Sequence, residues 1–109
     1  MADARENLKL NQATNVELSR GDARMALMKL KENFDVAIVD PPRGGCTPEV
    51  LTWLNAHVQR QILYVSCNPT TLARDLKTLT AQGWHVRQVQ PVDMFPQTYH
   101  IECVAVLGR

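Results

Sequence analysis

The chain has 109 residues, which allows one domain at most, near the commonest domain size and large enough for a real core. Lys and Arg number 12 against 11 Asp and Glu, so net charge points neither to a nucleic-acid binder nor to an acidic partner. The longest apolar runs, "VAIV" and "CVAVL", are too short to span a bilayer, and "MADARENLKL" is too charged for a secretory signal; the compartment expected is the cytoplasm, with no membrane partner. Cys46, Cys67 and Cys103 are odd in number, widely spaced and without a C-x-x-C pair. That pattern argues against a disulfide framework and a zinc site, so free thiols and no metal are expected.

In chain order, Ala2 to Asn11 reads as part of a helix, with Ala4 and Leu8 on one face. Asn15 to Leu18 is a short strand candidate, and Gly21-Asp22 turns the chain into a second helix at about residues 24–31. Phe34 to Val39, "FDVAIV", is nearly unbroken apolar sequence, as expected of a parallel strand buried on both faces. It ends at Asp40, before a Pro41-Pro42-Arg43-Gly44-Gly45 loop. Thr47-Pro48 is a helix start, a capping threonine before a proline at the first helical position, and Val50, Leu51 and Leu54 give that helix its buried side. "ILYV" is a second buried strand. Asn68-Pro69 repeats the cap-then-proline signal for a helix carrying Leu72, Leu76 and Leu79, stopped by Gly83. Trp84 to Val92 and Ile101 to Leu107 are strand candidates with no helix between them, so they should pair antiparallel.

Alternating strands and helices that close with a strand hairpin define an α/β fold with a mainly parallel sheet, whose ligands bind outside the carboxyl ends of the strands. Asp22, Asp40 and Cys67 qualify by that position. Asp40 precedes two prolines, which hold its backbone in a narrow range suited to aiming a side chain at a ligand, and Gly44-Gly45 permits close backbone approach. An isolated D-P-P is more often a plain strand-ending turn. Cys67 could be a small buried hydrophobe, but it lies immediately before the cap Asn68, where a helix N-terminus favours the thiolate that makes cysteine nucleophilic. Cys46 and Cys103 lack that setting and are read as structural. Glu102, at the opening of the last strand, is either an exposed edge charge or a carboxylate in a partly dry cleft, and His100 reads as a scaffold residue.

"DPPRGG", "YVSCNPTTLARDL" and "DMFPQTYHIE" resemble, in the same order, the signature segments of the uracil-5 RNA methyltransferases, which form 5-methyluridine. The resemblance runs over essentially the whole chain and is closer to the ribosomal RNA branch than to the transfer RNA branch. It implies a Rossmann-like class I S-adenosylmethionine-dependent fold. It assigns Cys67 as the nucleophile that adds to uracil carbon 6 and Glu102 as the base that removes the carbon 5 proton. Asp40 falls at the interface of cofactor and base, and Asp22 on a cofactor contact ending the family's third strand.

The family's catalytic domain opens with a strand and a glycine-rich loop, then a second strand ending in an acidic residue for the ribose, and neither is in this sequence. The resemblance therefore implies the C-terminal portion of one catalytic domain, a sheet truncated by its first two strands, and an incomplete catalyst. In the family's strand order, three-two-one-four-five-seven-six, that opens the sheet in the middle. The expectation is that strand Asn15–Leu18 pairs directly with strand Phe34–Val39, or that a second chain covers the edges as a homo-oligomer. Two other readings stay open: a non-catalytic remnant or interaction module, and an exocyclic-amino methyltransferase using the D-P-P segment. Arg43, Arg74, Lys77 and Arg87 are candidate phosphate contacts, though scattered basic residues are usually solvated surface.

Overall fold

The computed structural model describes residues 1–94 and 101–109 and divides the chain into two compact units, Met1–Leu30 and Lys31–Arg109. The first unit is two helices, α1 (Ala2–Leu10) and α2 (Ala23–Lys29). α1 ends in a Schellman turn: Gln12, at φ 54°, donates its N–H to the Lys9 carbonyl, and Ala13 donates to that of Leu8. Residues 15–18 are not a strand. Val16 and Leu18 have strand character, but a strand exists only through its pairing, and these residues have no partner strand among the described residues.

The second unit carries β1 (Phe34–Val39), α3 (Pro48–His57), β2 (Val58–Ser66), α4 (Pro69–Ala81), β3 (His85–Val92) and β4 (Glu102–Gly108). They form a four-stranded mixed sheet in the order β1-β2-β4-β3, parallel between β1 and β2 and antiparallel on both sides of β4. The helix starts follow the predicted chemistry. Thr47 Oγ1 accepts from the Val50 N–H at 3.4 Å, Asn68 Oδ1 accepts from the Thr70 N–H at 3.0 Å, and each helix has proline in its first turn. α4 ends in a second Schellman turn at Gly83 (φ 100°), whose hydrophobic closure is the buried pair Leu79 and Trp84.

The core lies on one face of the sheet. Ile62, Tyr64 and Ser66 of β2 and Cys103, Ala105 and Leu107 of β4 are buried there with Leu51, Trp53 and Leu54 of α3 and Leu72 and Leu79 of α4. On the opposite face Leu63, Val65, Val104 and Val106 are half-buried and Ile38 is 72% exposed. The expectation of a β1 buried on both faces is therefore overturned: Val36 and Ile38 point to the face away from the core and are exposed, and β1 is an edge strand that among the described residues pairs only with β2. Residues 15–18 form no strand, so the first way expected to close the sheet has no strand to supply it. Val50 and Leu76, predicted as core, are only half-buried.

Candidate active site

The residue preceding Cys67 explains the local turn. Ser66 is buried, its hydroxyl donates to the Asn68 carbonyl at 2.9 Å, and the Asn68 N–H donates back to Ser66 Oγ at 3.0 Å. This clasp bends the chain within one residue of the strand end, and Asn68 then caps α4. Cys67, half-buried, stands at the bend between the strand and the helix.

Register places two more of the sequence candidates at the same end of the sheet. Ser66 pairs with Cys103, the last pair of that register, so Cys67, which follows Ser66, and Glu102, which precedes Cys103, lie at neighbouring ends of β2 and β4. Val39 pairs with Tyr64 in the parallel direction, which puts Asp40 at the same margin one strand over. Asp40 is exposed and Glu102 half-buried. Asp22 belongs to the first unit, where its Oδ1 accepts the Arg24 N–H at 2.8 Å and caps α2; it follows no strand, contrary to the expectation that it ends one. His100 lies outside the described residues, as does most of the "DMFPQTYHIE" segment.

A buried polar cluster that sequence reasoning missed lies behind this margin. Asp75, fully buried on α4, accepts from the Tyr64 hydroxyl at 2.5 Å and from the Cys46 N–H at 2.8 Å, both at Oδ2. Its Oδ1 accepts from Arg74 Nε at 3.1 Å. Arg74 reaches on, donating from Nη2 to the Gly44 carbonyl at 2.7 Å, while Asn68 Nδ2 and Thr71 Oγ1 donate to the Arg43 carbonyl at 3.2 and 2.9 Å. Arg74 is thus a strap on the Pro42–Cys46 turn, a local role that its reading as a phosphate contact or solvated surface did not include. Gly45 is required by the same packing: its φ is 77°, and a Cβ there would lie 2.6 Å from Arg74 Nη2 and 2.7 Å from Asp75 Oδ2. Its role is close approach to α4, where the sequence suggested close approach to a ligand. Asp75 was legible in principle, since it falls on the stripe of Leu72 and Leu79, where a charge demands a partner.

Burial, with Asp75 beside it, pushes the Cys46 thiol up to about 11, and burial and the bond to Asp75 push the Tyr64 phenol up as well. Cys46 is therefore held as the neutral thiol near pH 7. A depression of about 570 Å³ lies on the helix side of the loop, lined by Gly44, Cys46, Thr47, Leu51, Arg74 and Thr78 among others. Asp40, Cys67 and Glu102 are not part of it. All three cysteines are free, and among the described residues no helix is long and apolar enough to cross a membrane.

This sheet and its helix-capped strand ends are those of the α/β methyltransferase fold: the chain superimposes on a precorrin-6y C5,15-methyltransferase of Geobacter metallireducens with TM-score 0.74 at 20% identity, over 96% of this chain and 60% of that one. The family model for tRNA (uracil-5-)-methyltransferase matches residues 5–109, and the chain belongs to that family. It is 51% identical over 108 residues to an uncharacterised RNA methyltransferase of Oceanobacillus iheyensis, covering 96% of this chain and 24% of that protein. The tRNA (uracil-54, C5)-methyltransferase of Pyrococcus abyssi, solved with S-adenosyl-L-homocysteine, is 38% identical with TM-score 0.77, covering 95% of this chain and 25% of that one. The chain thus spans about a quarter of the length of these RNA methyltransferases.

Proposed function

We propose that this chain forms the uracil-facing part of an S-adenosylmethionine-dependent RNA methyltransferase that methylates carbon 5 of a uridine through a covalent adduct with Cys67. The observation that carries the proposal is the pairing of Ser66 with Cys103, which supports a nucleophile and a base at neighbouring strand ends. In this reading the sulfur of Cys67 adds to carbon 6 of the uracil, and the displaced π electrons make carbon 5 an enolate-like nucleophile. S-adenosylmethionine, when bound, supplies the electrophilic methyl group that carbon 5 attacks. Glu102 then takes the proton from carbon 5, the double bond reforms, and Cys67 leaves as the thiolate. The target base must be flipped or unpaired to reach the site.

The residues present fit one side of the cofactor. Asp40 offers an exposed carboxylate on a backbone restricted by Pro41 and Pro42, and it would serve cofactor and base together. Asp22, whose carboxylate caps its own helix in the first unit, is assigned to the cofactor by the resemblance alone. The resemblance of the motifs favours ribosomal RNA as substrate and a cytoplasmic setting. Transfer RNA, named for the matching family and for the Pyrococcus relative, is the alternative. The outer edge of β1, with Val36 and Ile38 exposed, supports a second copy as cover for this chain alone, which sedimentation would reveal as a dimer that dissociates on dilution.

The test places this chain in the Oceanobacillus relative in exchange for the matching segment and offers the chimera S-adenosylmethionine with RNAs carrying 5-fluorouridine. Fluorine at carbon 5 blocks the final elimination, so a working site traps itself as a methylated protein–RNA adduct visible by intact mass. The adduct should vanish in Cys67→Ala, and comparison of ribosomal with transfer RNA fragments identifies the substrate. An adduct that survives Cys67→Ala refutes the assignment, and methylation without any adduct points to the exocyclic-amino reading.

A further inference from the structure

Each of the two loops that would carry the chemistry is held by the same helix. The turn after Asp40 is closed by the Gly45 N–H on the Pro42 carbonyl at 2.9 Å, and its outward carbonyls then meet side chains of α4 and its cap. Arg43 O receives Asn68 and Thr71, Gly44 O receives Arg74, and the Cys46 N–H goes to Asp75. Positions 68, 71 and 75 recur at the three- and four-residue spacing of one helical face, so the turn lies along the first two turns of α4. The first of these positions, Asn68, directly follows Cys67 and shares the Ser66 clasp. The backbone that aims Asp40 and the backbone that aims Cys67 are therefore parts of one hydrogen-bonded body.

Within that body, Arg74 and Asp75 differ from ordinary surface charges. Asp75 has both oxygens engaged and no exposure, and a buried carboxylate is tolerated only where such partners exist. Arg74 spans the pair and the loop at once, with Nε on Asp75 and Nη2 on Gly44, a fork that lysine cannot reproduce. Tyr64 ties the same carboxylate to the C-terminal part of β2, the strand that ends at Ser66 just before Cys67. We propose that Arg74 and Asp75 are positioning residues that lock the Asp40 loop to the helix start carrying Cys67, fixing the separation of cofactor side and nucleophile. The proposal rests on the methyltransferase reading of Cys67.

The test uses the chimera described above in single-turnover trapping at saturating cofactor and RNA. The amplitude of adduct reports the folded fraction, and the rate constant reports the geometry of the molecules that are folded. Arg74→Ala and, from the loop side, Gly45→Ala should lower the rate constant on the order of 10- to 100-fold, the range a misplacement of about 1 Å produces. RNA affinity should stay within about twofold, and Arg74→Lys should recover part of the rate because one of the two contacts can be remade. If any folded variant shows an unchanged rate constant with only a smaller amplitude or a lower melting temperature, the two residues are structural and the proposal is overturned. Failure of the unsubstituted chimera to form adduct, or adduct in Cys67→Ala, overturns the methyltransferase reading itself and is told apart because it appears before any strap variant is made.

Discussion

Replacing Asp75 by alanine should remove much of the stability of the Lys31–Arg109 unit. The substitution strands two donors in a buried place, the Cys46 N–H and the Tyr64 hydroxyl, at about 1–3 kcal/mol each. The Arg74 contact adds little, under about 1 kcal/mol, because that side chain is 56% exposed. Release of the carboxylate from its dry site offsets part of this, so the net loss expected is about 2–5 kcal/mol. A domain of this size holds only about 5–15 kcal/mol in all. Urea unfolding followed by tryptophan fluorescence is suited to the measurement, since Trp53 and Trp84 are both buried in this unit. Tyr64→Phe, which removes the hydroxyl and leaves the Cys46 and Arg74 partners in place, should cost about 1–2 kcal/mol. The double variant should then show coupling of about 1–3 kcal/mol, because the phenol has nothing to lose once the carboxylate is gone. A loss below about 1 kcal/mol for Asp75→Ala, at unchanged m-value, would refute the view that this carboxylate organises the loop.

The remaining predictions concern the same unit. Cys46 has its pKa raised in the folded state, from 9.0 to about 11, so the folded chain holds that proton more tightly than the unfolded one. The stability it contributes is fully present below pH 9 and is lost as pH rises through 11, at up to about 1.4 kcal/mol per pH unit. Cys46→Ala should flatten the alkaline limb of a stability–pH curve, and an unaltered limb would contradict the assignment. Asn68→Ala removes the cap of α4 and one bond to Arg43 O, and should cost about 1–2 kcal/mol by urea unfolding; Asn68→Ser, which can still cap, should restore roughly half. Arg109→Ala should cost about 1–2 kcal/mol, since its guanidinium donates to the Asn55 and Val58 carbonyls at the end of α3 and lies 4.6 Å over the Trp84 ring. A shift in Trp84 emission without loss of stability would limit Arg109 to the ring contact.

Much of the second unit was legible because its signals are local. Thr47-Pro48 and Asn68-Pro69 start helices whatever lies around them, Gly83 stops one, and two strands without a helix between them have to pair antiparallel. Asp40, Cys67 and Glu102 could be named because they sit beside those signals at strand ends. Failures came where the outcome depends on a neighbour. Residues 15–18 and "FDVAIV" carry strand sequence, but the first forms no strand and the second is an exposed edge, because burial and pairing are supplied by other strands. Asp75 failed for the converse reason: its partners Cys46 and Tyr64 are 29 and 11 residues away, and no local pattern announces them.

The placement of that hidden carboxylate bears on how a site at the margin of a sheet can be rigid. Asp40 and Cys67 end different strands and are followed by loops of different length, so strand pairing alone fixes their backbones only up to residues 39 and 66. Beyond those points the chain is held by side chains, and the ones that hold it come from a single helix face and its cap: Asn68, Thr71, Arg74 and Asp75. Because α4 begins two residues after Cys67, with Asn68 as its cap, a rotation of α4 that misplaces the cysteine also strains its bonds to the Asp40 turn. A loop packed by apolar contacts could slide by a fraction of a side chain at little cost. One held through its own carbonyls and an N–H slides less readily, since it must give up several directional hydrogen bonds together, and the one from the Cys46 N–H to Asp75 is buried, where no water replaces it. The buried charge is thus the feature that turns two separate strand ends into one surface of fixed shape.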